Sequence, residues 1–299
     1  MEELNFKPLD HAACRLGESP RWHAGEERLY WTDIDGKKLW RVRLDGGAAE
    51  SAELEQKAGC IVLREQGGLV LAMEDGVYAG DPFGGGKLEQ LCPHPDPAFA
   101  AKGGRFNDGR CDARGRLWVG TMDPERKNQA ALHRLDPKDM KMETMQEGFN
   151  TFNGLAFHPN GREAWYTDSR QYSLYRSSFD LEQGSIGPRE LLREWPKEQS
   201  PARPDGAAFD TDGCYWTALF EGAGIARLDG ASAEIVFEQA LPVGFPTMPC
   251  FAGPGLGQLA VTSALGNDPE AELAKNPLAG RVLLAAAAVA GLPEPSFAG

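Results

Sequence analysis

Four polar residues, Glu18, Asn107, Asn153 and Asp205, are the side chains of this sequence best suited to chemistry at one shared point. Each stands at the head of a short apolar segment and is followed by small or turn-forming residues: Ser19-Pro20, Asp108-Gly109, Gly154 and Gly206. Two carboxylates and two amides offer oxygen donors. Hard divalent cations, Ca²⁺ above all, take such donors, whereas structural Zn²⁺ sites take Cys and His. The five histidines share no spacing that makes a zinc cage. One of the four polar residues lies in Gly103-Gly104-Arg105-Phe106-Asn107-Asp108-Gly109, where a cation, a carboxamide and a carboxylate stand almost side by side. On its own, Asn-Asp-Gly reads as a turn, because these residues tolerate positive φ and hydrogen-bond their own backbone. Polar residues at strand starts also commonly satisfy backbone groups. What favours a metal or substrate site is that all four recur at one position of a repeat.

The repeat is read from residues 20–33 and 157–168. Each is an apolar strand, a turn built on His23-Ala24-Gly25 or His158-Pro159-Asn160-Gly161, and an aromatic strand ending in Thr32-Asp33 or Thr167-Asp168. Residues 38–45 and 173–180 follow as third strands, alternating apolar and polar with the period of a half-buried strand. Weaker copies occupy 111–121 and 209–219, and degenerate ones 67–73 and 257–263. Anchored at the end of the second strand, the copies fall at Asp33, Met73, Thr121, Asp168, Leu219 and Ser263, at intervals of 40, 48, 47, 51 and 44 residues.

Six units of this length, each with about four short strands, predict an all-β, six-bladed β-propeller of four-stranded blades spanning residues 1–299. No segment carries a helical period of the kind that crossover helices of a parallel α/β sheet need. Because an open sheet edge is a liability, an N-terminal strand within residues 5–15 is expected to complete the last blade beside residues 280–289. The first strand of each blade lines the channel, so equivalent positions at its start converge on the axis. Counting back 14 or 15 residues from the first five anchors gives Glu18, Gly59, Asn107, Asn153 and Asp205, and a longer turn through Gly253-Pro254-Gly255 leads to Thr247 or a neighbour in the sixth blade.

The formal net charge of −13 over 299 residues argues against a nucleic acid or an anionic membrane as partner. Met1-Glu2-Glu3-Leu4 offers no basic n-region, and the longest apolar run, residues 282–292, is too short to span a bilayer, so a cytoplasmic location is expected. Six scattered cysteines without CxxC pairs read as buried free thiols. No Gly-x-Ser-x-Gly elbow is present, and His23 and His158 fall on expected surface turns, which disfavours a Ser/His/Asp hydrolase.

Taken together, Leu16-Gly17-Glu18-Ser19-Pro20-Arg21-Trp22, Arg105-Phe106-Asn107-Asp108-Gly109, Gly120-Thr121-Met122, Asn153-Gly154-Leu155-Ala156-Phe157, Pro204-Asp205-Gly206 and Asn276-Pro277-Leu278-Ala279-Gly280 resemble the SMP-30/gluconolactonase family of sugar lactonases, which includes regucalcin. The resemblance spans nearly the whole chain with the motifs in order. It implies a six-bladed propeller and hydrolysis of a sugar lactone to the aldonic acid. Carried over motif by motif, it implies one divalent cation (Ca²⁺, with Zn²⁺, Mn²⁺ or Mg²⁺ as alternatives) held by Glu18, Asn153 and Asp205. It further implies substrate contacts from Arg105, Asn107 and Glu125, with Asp123 competing for the last of these. In that scheme the cation polarises the lactone carbonyl and Asp205 activates the attacking water. Asp108 is left as a turn residue or as a group ordering the waters of the metal. A related-fold hydrolase of aryl esters or organophosphate triesters, and a non-enzymatic calcium-binding propeller, are the alternative functions.

Overall fold

The computed structural model describes residues 1–198 and 201–299. Its strands form six sheets, and the innermost strands of neighbouring sheets pack against one another around a common axis, which makes the fold a six-bladed β-propeller. From the axis outward, blade one is Gly17–His23, Arg28–Asp33, Lys38–Arg43 and Glu50–Glu53. Blade two is Ala58–Leu63, Leu69–Met73, Gly76–Gly80 and Glu89–Pro93, and blade three is Arg105–Cys111, Leu117–Met122, Ala130–Asp136 and Lys141–Phe149. Blade five is Arg203–Phe209, Tyr215–Phe220, Gly224–Leu228 and Ile235–Ala240.

Blade four departs from the four-stranded expectation. Outside Phe152–Phe157, Glu163–Asp168 and Ser173–Asp180, its edge is divided into Ser185–Ile186 and Glu190–Glu194, which pair with opposite ends of the same third strand. Pro188 lies between the two pieces, and a residue without an N–H interrupts a ladder.

Blade six closes the ring. Pro246–Ala252, Gln258–Ser263 and Leu283–Ala286 come from the end of the chain, and Lys7–Pro8 adds the outermost strand with Lys7 opposite Leu284. Backbone bonds from Leu9 to Val282 (2.8 Å) and from Cys14 to Gly280 (2.9 Å) extend this seam. After Ala286 the chain crosses the face where the innermost strands end. There Phe297 donates to Leu63 O (2.8 Å) and Ala298 donates to Gly115 O (3.1 Å), so this tail covers one end of the channel.

The blades adhere through apolar side chains that alternate along the strands. Trp31, Trp118, Trp165 and Trp216 are fully buried between them, and all six cysteines are free and buried. Two short helices, Pro97–Ala100 and Pro269–Lys275, are too brief to show a period in the sequence. Each starts at a capping Asp followed by Pro, with Asp96 accepting from Phe99 N (2.9 Å) and Asp268 from Ala271 N (3.1 Å). Among the described residues no helix is long and apolar enough to cross a membrane.

Candidate metal and substrate site

The repeat anchors pair with the residue just before each candidate. Asp33 lies opposite Gly17, Met73 opposite Ala58, Thr121 opposite Phe106, Asp168 opposite Phe152, Leu219 opposite Pro204 and Ser263 opposite Pro246. The next residues along the innermost strands are Glu18, Gly59, Asn107, Asn153, Asp205 and Thr247. In all six blades the register then slips by one residue on the innermost strand. Such a β-bulge bends the strand and re-aims its side chains, and here it turns them toward the open end of the channel. Ser19 (φ 52°) and Gly154 (φ 62°) take the left-handed conformation within it.

Not every blade contributes a donor. Gly59 is required by close approach, since a Cβ there would fall 1.9 Å from Phe106 O. The Thr247 hydroxyl bonds Gly17 O (2.5 Å) and Thr262 Oγ1 (2.7 Å). The remaining four are each less than a tenth exposed; Glu18 accepts from Ser19 N (3.1 Å), and the other three are joined by hydrogen bonds. Arg105 Nη1 donates to Asn107 Oδ1 (2.7 Å), Asn107 Nδ2 donates to Asn153 Oδ1 (3.0 Å), and Asn153 Nδ2 donates to Asp205 Oδ1. Ser169 extends the patch, accepting from Asn153 Nδ2 (3.0 Å) and donating to Pro204 O (2.7 Å).

The Thr-Asp ends of the repeat hold two of these residues in place. Asp33 accepts from Arg15 N (3.1 Å) and Leu16 N (3.0 Å), three and two residues before Glu18. Asp168 accepts from Asn150 N (2.7 Å) and Thr151 N (3.1 Å), three and two residues before Asn153. The same carboxylate thus fixes the same approach to the site in blades one and four.

Burial, with the neighbouring charges of Asp205 and Asp108, raises the Glu18 carboxyl well above its ordinary range. Burial also raises Asp205, with Asp108 adding to the effect and Arg203 and Arg105 opposing it. Both carboxyls stay raised despite the guanidinium groups of Arg203 and Arg105, and a cation would supply the counter-charge still missing. Among the described residues no three His, Cys, Asp or Glu side chains are grouped to share an ion. A cation here would take Glu18 and Asp205 and complete its shell with amide oxygen and water, a composition that suits hard divalent ions. The Asn153 amide nitrogen faces Asp205, and rotation about its terminal bond presents the oxygen instead. The donor set therefore fits the cation that the sequence implies.

A cavity of about 490 Å³ opens above this patch, and Glu18, Arg105, Asn107, Asn153 and Asp205 all line it. Glu125 does not. It is exposed on the rim loop and pairs with Lys127 at 3.2 Å. Asp123 is buried inside that loop, accepting from the backbone of Glu125 (2.9 Å), Lys127 (2.7 Å) and Gln129 (3.1 Å). Burial works to raise its pKa, but those backbone donors prevail and hold it below the ordinary value.

Asp108 is no turn residue. It lies within strand Arg105–Cys111, buried, and accepts from Gly109 N (2.8 Å) and Leu155 N (2.9 Å), which ties blade three to blade four. His23 and His158 are half-buried, and each Nδ1 accepts a backbone N–H of its own turn at 3.0 Å. Sequence reasoning missed Ser169, Arg170 and Arg203, which also line the cavity. Their signal was position: Ser169-Arg170 directly follow the anchor Asp168, and Arg203 directly precedes Pro204-Asp205.

Known proteins resemble this chain in sequence and fold. The chain is 41% identical over 286 residues to 6-deoxy-6-sulfogluconolactonase of Pseudomonas putida, covering 95% of each. It is 32% identical over 288 residues to a pentonolactonase of Haloferax volcanii, covering 94% of each. The crystal structure of a calcium-binding protein, regucalcin, from Agrobacterium tumefaciens superposes with a TM-score of 0.90 at 24% identity, covering 98% of this chain and 97% of that one, a likeness of fold. Residues 16–265 match the family model described as SMP-30/Gluconolactonase/LRE-like region, and the chain belongs to that family.

Proposed function

We propose that this chain is a lactonase that hydrolyses a sugar lactone of the gluconolactone type to its aldonic acid, using one divalent cation held by Glu18, Asn153 and Asp205. The observation that carries this reading is the convergence of two buried carboxylates and two amides from four blades on the floor of one cavity. Its kinship with a sulfogluconolactonase and a pentonolactonase supports the substrate class. The cation, Ca²⁺ in first place before Zn²⁺, Mn²⁺ or Mg²⁺, supplies Lewis acidity at the lactone carbonyl.

The chain's own groups do the rest. Asp205 accepts a proton from the attacking water. The opened ring yields a carboxylate and a free hydroxyl, and the proton held on Asp205 is available to the leaving alkoxide. Arg105 is oriented through Nη1 by Asn107 Oδ1 and Phe106 O (2.9 Å), which leaves its other N–H groups to meet the developing oxyanion or a ring hydroxyl. Asn107 braces Arg105 and Asn153 together, and its oxygen keeps a lone pair for a substrate hydroxyl.

The test is hydrolysis of glucono-1,5-lactone by the chelator-treated protein, with each cation restored in turn, and by Glu18→Gln and Asp205→Asn. Turnover should require a cation and be lost in both variants while each stays folded. Full activity in chelator, or in either variant, overturns the mechanism. A chromogenic phosphotriester and an aryl ester run alongside test the neighbouring ester chemistries.

A further inference from the structure

The cavity is electrostatically lopsided in a way that neither the cation nor Arg105 explains. On the side of blades one and two it is lined by Asp35, Glu74 and Lys57, with Lys57 already paired to Asp35 at 2.8 Å. On the side of blades four and five it is lined by Arg170 and Arg203. Arg203 is buried, lies 5.0 Å from the centroid of the Phe220 ring and pairs with Glu221 at 2.9 Å. Its Nε–H has no hydrogen-bond partner. Arg170 is exposed to the cavity and makes no ion pair among the described residues. Withdrawal from solvent, then the like charges of Arg203 and Arg126, lower its pKa, with Glu221 opposing. Two guanidinium groups therefore share this wall of the cavity, with Glu221 paired to Arg203 and the Asp205 carboxylate close enough to feel its charge, in a chain whose formal charge is −13.

We propose that Arg170 and Arg203 form a subsite for a tetrahedral oxyanion, sulfonate or phosphate, carried on the sugar lactone at the end remote from its carbonyl. Guanidinium is suited to this because its planar fork of N–H donors matches an oxyanion with two parallel bonds. The Phe220 ring, packed against the Arg203 guanidinium, holds it in place before the ligand arrives. Arg170 follows Ser169 on the loop whose turn Asp168 caps, accepting from Arg170 N at 3.2 Å. The carbonyl end of the substrate would sit over Glu18 and Asp205 while its anionic end reaches this wall, and the neutral hydroxyls between meet the acidic side. This assignment rests on the lactonase reading for its substrate but not for its anion.

Two measurements separate the two ideas. Calorimetry with open-chain sugar acids reads the subsite without turnover: 6-phosphogluconate and 6-deoxy-6-sulfogluconate against gluconate, on the cation-loaded protein. Binding of the 6-anionic acids should be about tenfold tighter or better, should weaken as salt is raised, and should lose that preference in Arg170→Gln and Arg203→Gln. Equal binding of gluconate and the 6-anionic acids, or a preference unchanged in both variants, overturns the subsite whatever the enzyme hydrolyses. Steady-state kinetics on glucono-1,5-lactone and its 6-phospho and 6-sulfo counterparts then gives the ratio of kcat/KM. The ratio should favour the anionic lactones through KM in the native protein and fall in Arg170→Gln. Failure to hydrolyse any of the three sinks the lactonase reading and leaves the calorimetric comparison to decide the subsite alone. A gap between the phospho and sulfo arms says which oxyanion the wall prefers.

Discussion

Acid should open the ring at one identifiable residue. His11 lies at the seam between blades six and one, 6% exposed, with its ring 4.9 Å from that of Trp31 and 5.6 Å from that of Trp40. Its Nε2 accepts from Val282 N at 2.9 Å, which leaves the proton on Nδ1 to donate to Ala12 O at 2.6 Å. A second proton would set N–H against N–H at Val282. Burial lowers the His11 pKa from 6.5 to about 4, the Ala12 bond opposes this, Arg281 assists and Asp10 opposes. The folded protein therefore binds fewer protons here than the unfolded chain. The contribution of the neutral ring is complete above pH 6.5 and is lost as the pH falls toward about 4. At 1.36 kcal/mol per pH unit the loss is about 3 kcal/mol, or roughly 6 °C in Tm for a chain of this size. Urea unfolding followed by tryptophan fluorescence between pH 7.5 and 4 measures it, with His11→Gln as the comparison because glutamine is a donor and acceptor that does not titrate. The buried His133, whose pKa is also lowered to about 4, is present in both proteins and cancels. The native protein should lose about 3 kcal/mol more than the variant across that range. Parallel curves would refute the account of the seam.

Three further outcomes are expected. In chelator at pH 8, Glu18→Gln and Asp205→Asn should each melt above the native protein, because both carboxyls are raised and penalise the folded state at any pH above their ordinary range; added cation should stabilise the native protein alone. Asp168→Asn should weaken cation binding about tenfold and lower kcat/KM with it, because charge-assisted bonds to the Asn150 and Thr151 amides are worth about 1.5–3 kcal/mol; calorimetry with the cation alone checks this. Phe297→Ala removes a fully buried ring from the tail and should cost about 3–5 kcal/mol in urea unfolding, while activity per folded molecule is retained.

The ring was legible because its signals are local. Thr32-Asp33 and Thr167-Asp168 recur with period-2 strands beside them, and a count from those anchors reached Glu18, Asn107, Asn153 and Asp205 without any knowledge of the bulge. The count varied with the length of each turn, because the extra residue of the bulge is common to all six blades. Asp108 stayed open because Asn-Asp-Gly in a strand looks the same as Asn-Asp-Gly in a turn until Leu155 N arrives from another blade. Arg170 and Arg203 were invisible as a pair, since nothing in the order of residues says that two loops from different blades face one cavity. Glu125 depends on the path of a loop, and loop paths follow from the bonds of a buried Asp123 that no period announces.

The way the ring closes also sets an order on synthesis. Lys7–Pro8 cannot pair until Leu283–Ala286 has been made, and Phe297 must still reach back to Leu63. Blades one to five can form hairpins as they leave the ribosome, but their convergence on one axis waits for the last few dozen residues of the chain. Contacts of such long sequence separation fold slowly, because loop closure must precede the interactions that reward it. A nascent chain stalled before residue 283 would hold Glu18, Asn153 and Asp205 on an open arc with an unpaired strand edge exposed at its end. Such an edge is open to aggregation until the seam forms, and cation added during refolding should speed recovery only after that.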